Sequence, residues 1–184
     1  MKLTFSFFQK EDKLLIHKWE TECRDTPGFK AIKHYVLEDN IYYNLPELID
    51  INYECFPISD NEFRNILIAK SSKNEVAGFV LYNVFNLNHK PEVNLIYLAI
   101  NPIMQHKGIG TEIITELCSN YEKYFKCKPT CVFTKIDKEN IANQSLMKKF
   151  GLKLVKRPKG REYLCGFETD FDNVLNHLKA SDKE

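Results

Sequence analysis

Apolar and polar residues alternate over the first few positions of the chain. Residues 2–8 place large apolar side chains at every second position, a period that is typical of a strand with one buried face. Residues 64–71 and 75–85 are two further apolar runs, joined by the turn sequence Ser-Ser-Lys-Asn. We therefore predict three strands in the first half of the chain, with antiparallel pairing among them.

Helical spacing lies between the first two of these strands. Three apolar residues, among them Trp19, recur at helical intervals and predict a helix over residues 12–23, where Trp19 belongs to the core. Pro46 occupies a position that is favoured at the first turn of a second helix. Residues 29–43 fit either a helix or a long loop.

Strands and helices alternate in the second half of the chain. The apolar run 93–100 is followed by an amphipathic helix in which Ile113, Leu117, Tyr121 and Phe125 lie four residues apart on one face. The patterns beyond this helix predict a strand over residues 130–136, a helix over 140–150 closed by Gly151, a hairpin of strands 152–156 and 161–167, and a terminal helix over 170–179.

This order of elements predicts the fold class. Antiparallel strands in the first half, followed by strand-helix-strand crossovers, indicate an α/β fold with a mixed sheet and helices on both faces. The chain has 184 residues, which suits one domain with its own core. We predict a single domain over residues 1–184.

Composition and charge exclude several classes of function. Apolar residues make up 43% of the chain and charged residues 28%, and the net charge is +1. The near-neutral charge is unfavourable for nucleic-acid binding and for an anionic membrane surface. No apolar run approaches the roughly 20 residues that span a bilayer, and the N-terminus lacks the features of a secretory signal. We expect a cytoplasmic protein.

The six cysteines of the chain are scattered and form no Cys-x-x-Cys pair. Cys127 and Cys131 lie four residues apart, but no histidine or second cysteine pair near them completes a zinc site. Most of the cysteines stand in apolar segments and are interpreted as small core residues. We therefore predict no metal site and a reducing compartment.

A glycine-containing loop follows the apolar run 93–100. The sequence Gln-His-Lys-Gly-Ile-Gly begins at Gln105 and leads directly into the amphipathic helix. Backbone N–H groups at the start of a helix, with a lysine beside them, form a ready site for phosphate. Two common phosphate motifs fail on a required residue: Gly110 is followed by Thr111 rather than by Lys-Ser/Thr, and Ile113 replaces the third glycine of the dinucleotide fingerprint.

The spacing Gln-x-x-Gly-x-Gly, after a strand closed by Asn101-Pro102, resembles the pyrophosphate loop of the GNAT N-acetyltransferases. A second resemblance begins at Asn140, where Asn starts a short helix ending in Gly151-Leu152, similar to the family's second cofactor motif. The likeness extends over roughly residues 2–168. It implies a GNAT-like fold with a central mixed sheet of about seven strands, a cofactor half at about 75–152, and acceptor-side elements at about 10–60 and 153–170.

The resemblance also implies acetyl-CoA as co-substrate and a set of residues that bind it. The end of the strand at residues 93–100 would pair its backbone with the pantetheine arm. The loop would wrap the pyrophosphate, and the Asn140 amide would contact the arm. From the residues alone, Asn140 equally fits a helix N-cap. The implied cofactor-binding residues are Leu98, Ala99, Ile100, Gln105, His106, Lys107, Gly108, Ile109, Gly110, Thr111 and Asn140.

Two departures from the family pattern concern the catalytic groups. Met147 stands where many members carry a tyrosine that protonates the leaving thiolate, and a thioether cannot donate a proton. The positions that often carry a base are Asn94 and Ile96, so Glu92, one step further out on the same face, is the candidate general base. Tyr97 or Tyr163 is a candidate for the missing acid.

These observations predict an N-acetyltransferase that moves an acetyl group from acetyl-CoA to a primary amine of a small molecule or peptide. The alternative is a non-catalytic acyl-CoA-binding sensor on the same fold, which the missing acid and base favour. The basic residues between Lys148 and Arg161 are interpreted as a solvated face, with some able to meet the 3′-phosphate of coenzyme A. We expect no nucleic-acid or membrane partner, and a monomer or homodimer.

Overall fold

The computed structural model describes residues 2–22, 35–36, 42–43, 62–87, 90–155 and 164–181. Most of the predicted elements lie in these ranges, whereas the predicted helix start at Pro46 lies outside them. Of residues 29–43, which fit either a helix or a long loop, the structure describes residues 35–36 and 42–43, and these form two short paired strands. The first elements in chain order are β1 (Thr4–Phe7), α1 (Lys10–Glu22), β2 (Tyr35–Val36), β3 (Tyr42–Tyr43), β4 (Glu62–Lys70) and β5 (Val76–Leu87).

The second half of the chain alternates strands and helices as the sequence predicts. The observed bounds differ from the predicted ones by a few residues at the ends of elements, where the pattern of apolar residues is weakest. The elements are β6 (Lys90–Ile100), a 3₁₀ turn (Pro102–Met104), α2 (Ile109–Ser119), α3 (Tyr121–Phe125), β7 (Cys131–Asp137), α4 (Ile141–Lys149), β8 (Lys153–Val155), β9 (Leu164–Asp170) and α5 (Phe171–Ser181).

One predicted helix is divided in two. Ile113, Leu117 and Phe125 are buried, as the four-residue spacing predicts, whereas Tyr121, the fourth residue of this face, is half-buried. At Asn120 the backbone leaves the helical region, with φ −106° and ψ 38°. The Asn120 carbonyl nevertheless accepts the first hydrogen bond of α3, so the apolar face continues across the break.

Seven strands form one mixed sheet in the order β1-β4-β5-β6-β7-β9-β8. The pairs β1/β4, β7/β9 and β8/β9 are antiparallel, whereas β6 and β7 are parallel. The helix pair α2 and α3 connects β6 to β7, which is the crossover that a parallel pair requires. The prediction of a mixed sheet of about seven strands with flanking helices is therefore confirmed.

The described residues fall into two compact units. The first comprises residues 1–58, 64–81 and 98–113, and the second comprises 59–63, 82–97 and 114–184. The proposed single domain over residues 1–184 stays a prediction.

The core of the first unit lies between α1 and the sheet. Trp19 is buried and its ring stacks on Phe79 at 6.1 Å between centroids, which confirms its predicted place in the core. Asp12 is also buried, and its carboxylate lies 2.5 Å from the Lys70 ammonium. The ion pair offsets the cost of burying this charge beneath the helix.

Aromatic side chains dominate the core of the second unit. Phe125 contacts Tyr82 and Phe171 edge to face, at 5.5 and 6.1 Å between ring centroids. The buried hydroxyl of Tyr82 donates to the Tyr124 carbonyl at 3.0 Å. Edge-to-face contacts between these rings therefore pack the sheet, α3 and α5 against one another.

Candidate functional site

The end of β6 is held by one buried side chain, Asn101, which is 6% exposed. Its Nδ2 donates to the Val76 carbonyl at 3.2 Å, and its Oδ1 accepts from the Ile103 N–H at 3.2 Å. Its own N–H donates to the Ala77 carbonyl at 2.9 Å. The side chain therefore attaches the start of the loop to β5 and sets the direction in which the chain leaves the sheet.

Gly78 allows β5 to approach the end of β6 closely. A Cβ atom placed on Gly78 would lie 2.9 Å from the Ala99 carbonyl oxygen and 2.8 Å from Ile100 Cδ1. It would also lie 2.9 Å from Ile113 Cδ1 on α2. A larger residue here must displace the backbone that leads into the loop.

The loop contains two residues in the left-handed backbone conformation. His106 has φ 61° and Gly108 has φ 80°, and α2 begins directly afterwards at Ile109. A Cβ atom on Gly108 would meet nothing within 4 Å, so the space above the glycine is open. Alternation of left-handed and other residues turns successive N–H groups toward one concave side, which is an anion-binding arrangement.

The start of α2 adds donors to this loop. The Glu112 N–H bonds to the Gly108 carbonyl at 3.0 Å, which makes it the first intrahelical donor. The N–H groups of Ile109, Gly110 and Thr111 precede it and by helix geometry have no intrahelical acceptor. Together with the positive end of the helix dipole, they can bind a phosphate or pyrophosphate.

Two side chains of the loop are tied to the turn that precedes it. Gln105 Nε2 donates to the Ile100 carbonyl at 3.4 Å, and Lys107 Nζ donates to the Ile103 carbonyl at 3.3 Å. Lys107 is exposed, so its ammonium lies on the solvent side of the loop. The structure thus brings residues Leu98 to Thr111 of the predicted cofactor set together within the first unit.

The parallel ladder between β6 and β7 is short. It contains four pairs, from Glu92 with Cys131 to Leu95 with Thr134. Beyond the last pair, β6 continues to Ile100 and β7 to Asp137. The backbone of Leu98 to Ile100 therefore lies past the point where the two strands are paired, as the resemblance implied.

Glu92 lies at the opposite end of this ladder. It is half-buried beside Cys131, and burial together with the carboxylates of Glu168, Glu92 and Asp170 raises the pKa of the Cys131 thiol to about 12. Glu92 lies three positions before Leu95, the β6 residue of the last pair, which is about 10 Å along a strand. Its assignment as the general base stays a prediction.

Asn140 is the N-cap of α4. Its Oδ1 accepts from the Asn143 N–H at 3.1 Å, so the capping interpretation of this residue is confirmed and its role toward the pantetheine arm stays a prediction. Gly151, with φ 81°, follows the last turn of this helix and is the predicted C′ glycine. Met147 is 1% exposed and packs inside the unit.

Sequence reasoning did not assign three of the residues that shape this region. Asn101 was noted only as the end of a strand, although asparagine before proline is a frequent turn initiator. Gly78 stood inside a strand, a position that often marks a close backbone approach. The third residue, Thr134, donates its hydroxyl to the Leu95 carbonyl at 2.7 Å, and no signal in the sequence indicated it beyond its place in a strand.

The sequence profile of the Acetyltransferase (GNAT) family matches residues 16–152. No curated protein matches the chain at a significant level. Within the described residues, no helix is long and apolar enough to cross a membrane.

Solved structures share the architecture at low sequence identity. A Desulfovibrio desulfuricans protein described as an acetyltransferase of the GNAT family has a TM-score of 0.65 and 12% identity, over 92% of this chain and 99% of its own. The Vibrio cholerae spermidine N-acetyltransferase in complex with CoA and spermine has a TM-score of 0.62 and 16% identity, over 95% and 98%. The Escherichia coli ribosomal-protein-S18-alanine N-acetyltransferase has 0.56 and 13%, over 91% of each chain.

Proposed function

Because the chain belongs to the GNAT acetyltransferase family, we propose that it transfers an acetyl group from acetyl-CoA to a primary amine by direct attack in a ternary complex. The observation that carries the cofactor assignment is the loop before α2. There, two left-handed residues, an open space above Gly108 and the N-terminus of an 11-residue helix coincide. This arrangement suits a pyrophosphate such as that of coenzyme A.

The residues present fit such a cofactor. The N–H groups of residues 109–111 would hold the pyrophosphate, and Lys107 would neutralise part of its charge. The backbone of residues 98–100 would pair with the pantetheine arm, and Asn140 would contribute its amide nitrogen. Acetyl-CoA supplies an activated thioester, and a backbone N–H directed at its carbonyl oxygen would stabilise the charge that develops there.

The amine must reach the thioester without its proton. A free alkylamine has a pKa of about 10.4 and is mostly protonated at neutral pH, so a base is needed. Glu92 is the candidate, acting through water because of its distance from the end of the ladder. Since Met147 cannot donate a proton, Tyr97 or Tyr163 is the candidate acid for the leaving thiolate, with water as the remaining source. Of the two tyrosines, Tyr163 lies outside the described residues.

A small polar amine is the acceptor we favour, and a peptide amine is the second class. The spermine bound to the Vibrio cholerae enzyme and the protein substrate named for the Escherichia coli enzyme show that this fold serves both. Most of the acceptor-side segment at 10–60 lies outside the described residues. A cytoplasmic location and a monomeric or homodimeric state remain part of the proposal.

Calorimetric titration with acetyl-CoA, followed by thiol release with a panel of amines, tests the proposal. Gly108→Asp puts a carboxylate in the open space above the loop and should abolish cofactor binding. Asn74→Asp is the matched control, because Asn74 is also exposed with positive φ, at 60°. Undiminished binding by Gly108→Asp removes the loop assignment.

Binding without turnover is the outcome that favours a sensor. Met147 is buried, and its thioether cannot donate a proton. The two strand positions that often carry a base in the family are Asn94 and Ile96. If acetyl-CoA binds but no amine in the panel releases thiol, the chain is an acyl-CoA-binding protein on this fold.

A further inference from the structure

A buried hydroxyl lies at the last pair of the β6/β7 ladder. Thr134 Oγ1 donates to the Leu95 carbonyl at 2.7 Å, and Thr134 is 4% exposed. These two residues are also the final Cα partners of the parallel register. A side-chain donor therefore serves the neighbouring strand at the place where the main-chain ladder stops.

The residue type at this position is informative. Val132 and Ile136 point to the same face of β7 as Thr134 and are both buried and apolar. Valine has nearly the same shape as threonine, and it would fill this row without introducing a polar atom. Burying a hydroxyl is unfavourable unless it is hydrogen-bonded, so the bond to Leu95 is what makes threonine acceptable here.

On its other side, β7 stays paired beyond Thr134. β7 is paired with β9 along its full length, from Cys131 with Asp170 to Asp137 with Leu164. β7 therefore keeps its place in the sheet beyond Thr134. The β6/β7 ladder thus ends at Leu95 although β6 continues beside β5, where the Asn101 N–H donates to the Ala77 carbonyl at 2.9 Å. The Thr134 hydroxyl bonds the last β6 carbonyl of this ladder.

We propose that Thr134 is a positioning residue that sets where β6 separates from β7. By bonding the Leu95 carbonyl with its side chain, it ends the ladder at that residue, so that the backbone of Leu98 to Ile100 lies beyond the pairing with β7 and can receive a ligand. The inference rests on the proposed function, in which this backbone receives the pantetheine arm and the thioester. Thr134 itself touches neither cofactor nor acceptor in this proposal.

Thr134→Val removes the hydroxyl and keeps the shape. We expect the dissociation constant for acetyl-CoA, and its KM, to rise about tenfold, the order expected for one buried hydrogen bond. The KM for the amine should stay within about twofold. Thr134→Ser, which keeps the hydroxyl, should restore most of the affinity.

A matched control lies at the other end of the same two strands. The Thr130 hydroxyl donates to the Pro91 carbonyl at 3.0 Å, and this bond is exposed. Thr130→Val removes a hydroxyl-to-carbonyl bond at the opposite end of the ladder, where the Thr130 N–H still donates to the same carbonyl at 2.7 Å. Its acetyl-CoA affinity should equal that of the unchanged protein.

Amide hydrogen exchange gives a readout that does not need the cofactor. In Thr134→Val, exchange of the amides of residues 96–100 should change, while exchange in residues 132–137, paired with β9, should not. If Thr134→Val does not fold, Thr134→Cys replaces it, because a thiol is only a weak donor.

The results separate this inference from the proposed function. Unaltered acetyl-CoA affinity and unaltered exchange in Thr134→Val overturn the positioning role. Equal losses in Thr134→Val, Thr134→Ser and Thr130→Val also overturn it, because they show a general effect on stability. If the unchanged protein binds no acetyl-CoA, the proposed function fails, and the exchange of residues 96–100 alone decides the role of Thr134.

Discussion

Asn101 makes polar contacts in several directions at the point where β6 ends. Its side chain bonds backbone groups of Val76 and Ile103, and its carbonyl accepts from the Met104 N–H at 2.8 Å. Pro102, which follows it, cannot donate a backbone hydrogen bond. The direction in which the chain leaves β6 therefore depends on this amide side chain and on the proline that follows it.

Asn101→Ala removes both side-chain bonds. We expect a loss of about 1–2 kcal/mol in the free energy of unfolding, because the buried Val76 carbonyl loses a donor. Acetyl-CoA affinity should also fall, since the start of the loop then keeps the Asn101 N–H bond to Ala77 but loses the side-chain bond to Val76 on β5. Urea unfolding and calorimetry measure the two effects, and affinity equal to that of the unchanged protein contradicts the role assigned to Asn101.

Glu92→Gln tests the candidate base. The substitution removes the proton acceptor at nearly constant shape, so turnover should fall by about 100-fold or more and its dependence on pH should flatten. Glu168→Gln is the control, because Glu168 also lies beside Cys131 but belongs to β9. A pH-rate profile identical to that of the unchanged enzyme eliminates Glu92 as the base.

At the scale of elements, the end of a helix depends both on its local sequence and on the packing around it. Gly151 ends α4 with φ 81°, and a Cβ atom there would lie 2.6 Å from Asn173 Nδ2 and 2.7 Å from the His177 ring. Asn173 Nδ2 also donates to the Gly151 carbonyl at 3.1 Å. The end of α4 is therefore fixed against α5 by a glycine that has no room for a side chain.

The two glycines with positive φ provide a matched pair of substitutions. Gly151→Ala combines backbone strain with a clash and should destabilise the protein by about 2–4 kcal/mol. Gly108→Ala has a similar φ of 80° but open space around it, so it should cost only about 1–2 kcal/mol. Thermal or urea unfolding compares them, and equal losses contradict the packing assigned to α5.

At the scale of the whole molecule, buried thiols and tyrosine hydroxyls make stability depend on pH. Burial raises the pKa of the Cys118 thiol from its ordinary value of 9.0 to about 12, and the pKa of Cys131 rises in the same direction. Burial also raises the pKa of the Tyr82 and Tyr124 hydroxyls. The folded chain therefore holds these protons more tightly than the unfolded chain does.

The sign of the effect follows from linkage. Below about pH 9 both states are protonated and stability is fully present; as pH rises toward 12, the unfolded state loses protons first and stability falls. The urea midpoint should therefore be lower at about pH 10 than at about pH 7. Cys118→Ala should show a smaller decline, and a pH-independent midpoint contradicts the burial of these groups.

The elements of the described residues could largely be predicted from the sequence, because each depends on local patterns. The four-residue spacing from Ile113 to Phe125 and the glycine at position 151 specify helices and their ends through neighbours close in the chain. The division at Asn120 was missed, because the apolar face continues across it. The short strands Tyr35–Val36 and Tyr42–Tyr43 were missed because two-residue strands leave no periodicity to detect.

The candidate site likewise combines features that the sequence predicts with contacts that only the tertiary structure shows. The glycine loop and the helix that follows it were determined by the sequence, since the left-handed residues and the helix start lie within a few positions of each other. Only the tertiary structure decided that Asn101 bonds Val76, that Gly78 meets Ala99, and that Thr134 bonds Leu95. Each of these contacts joins residues 21 to 39 positions apart, and which strands become neighbours depends on the packing of the whole sheet rather than on any local pattern.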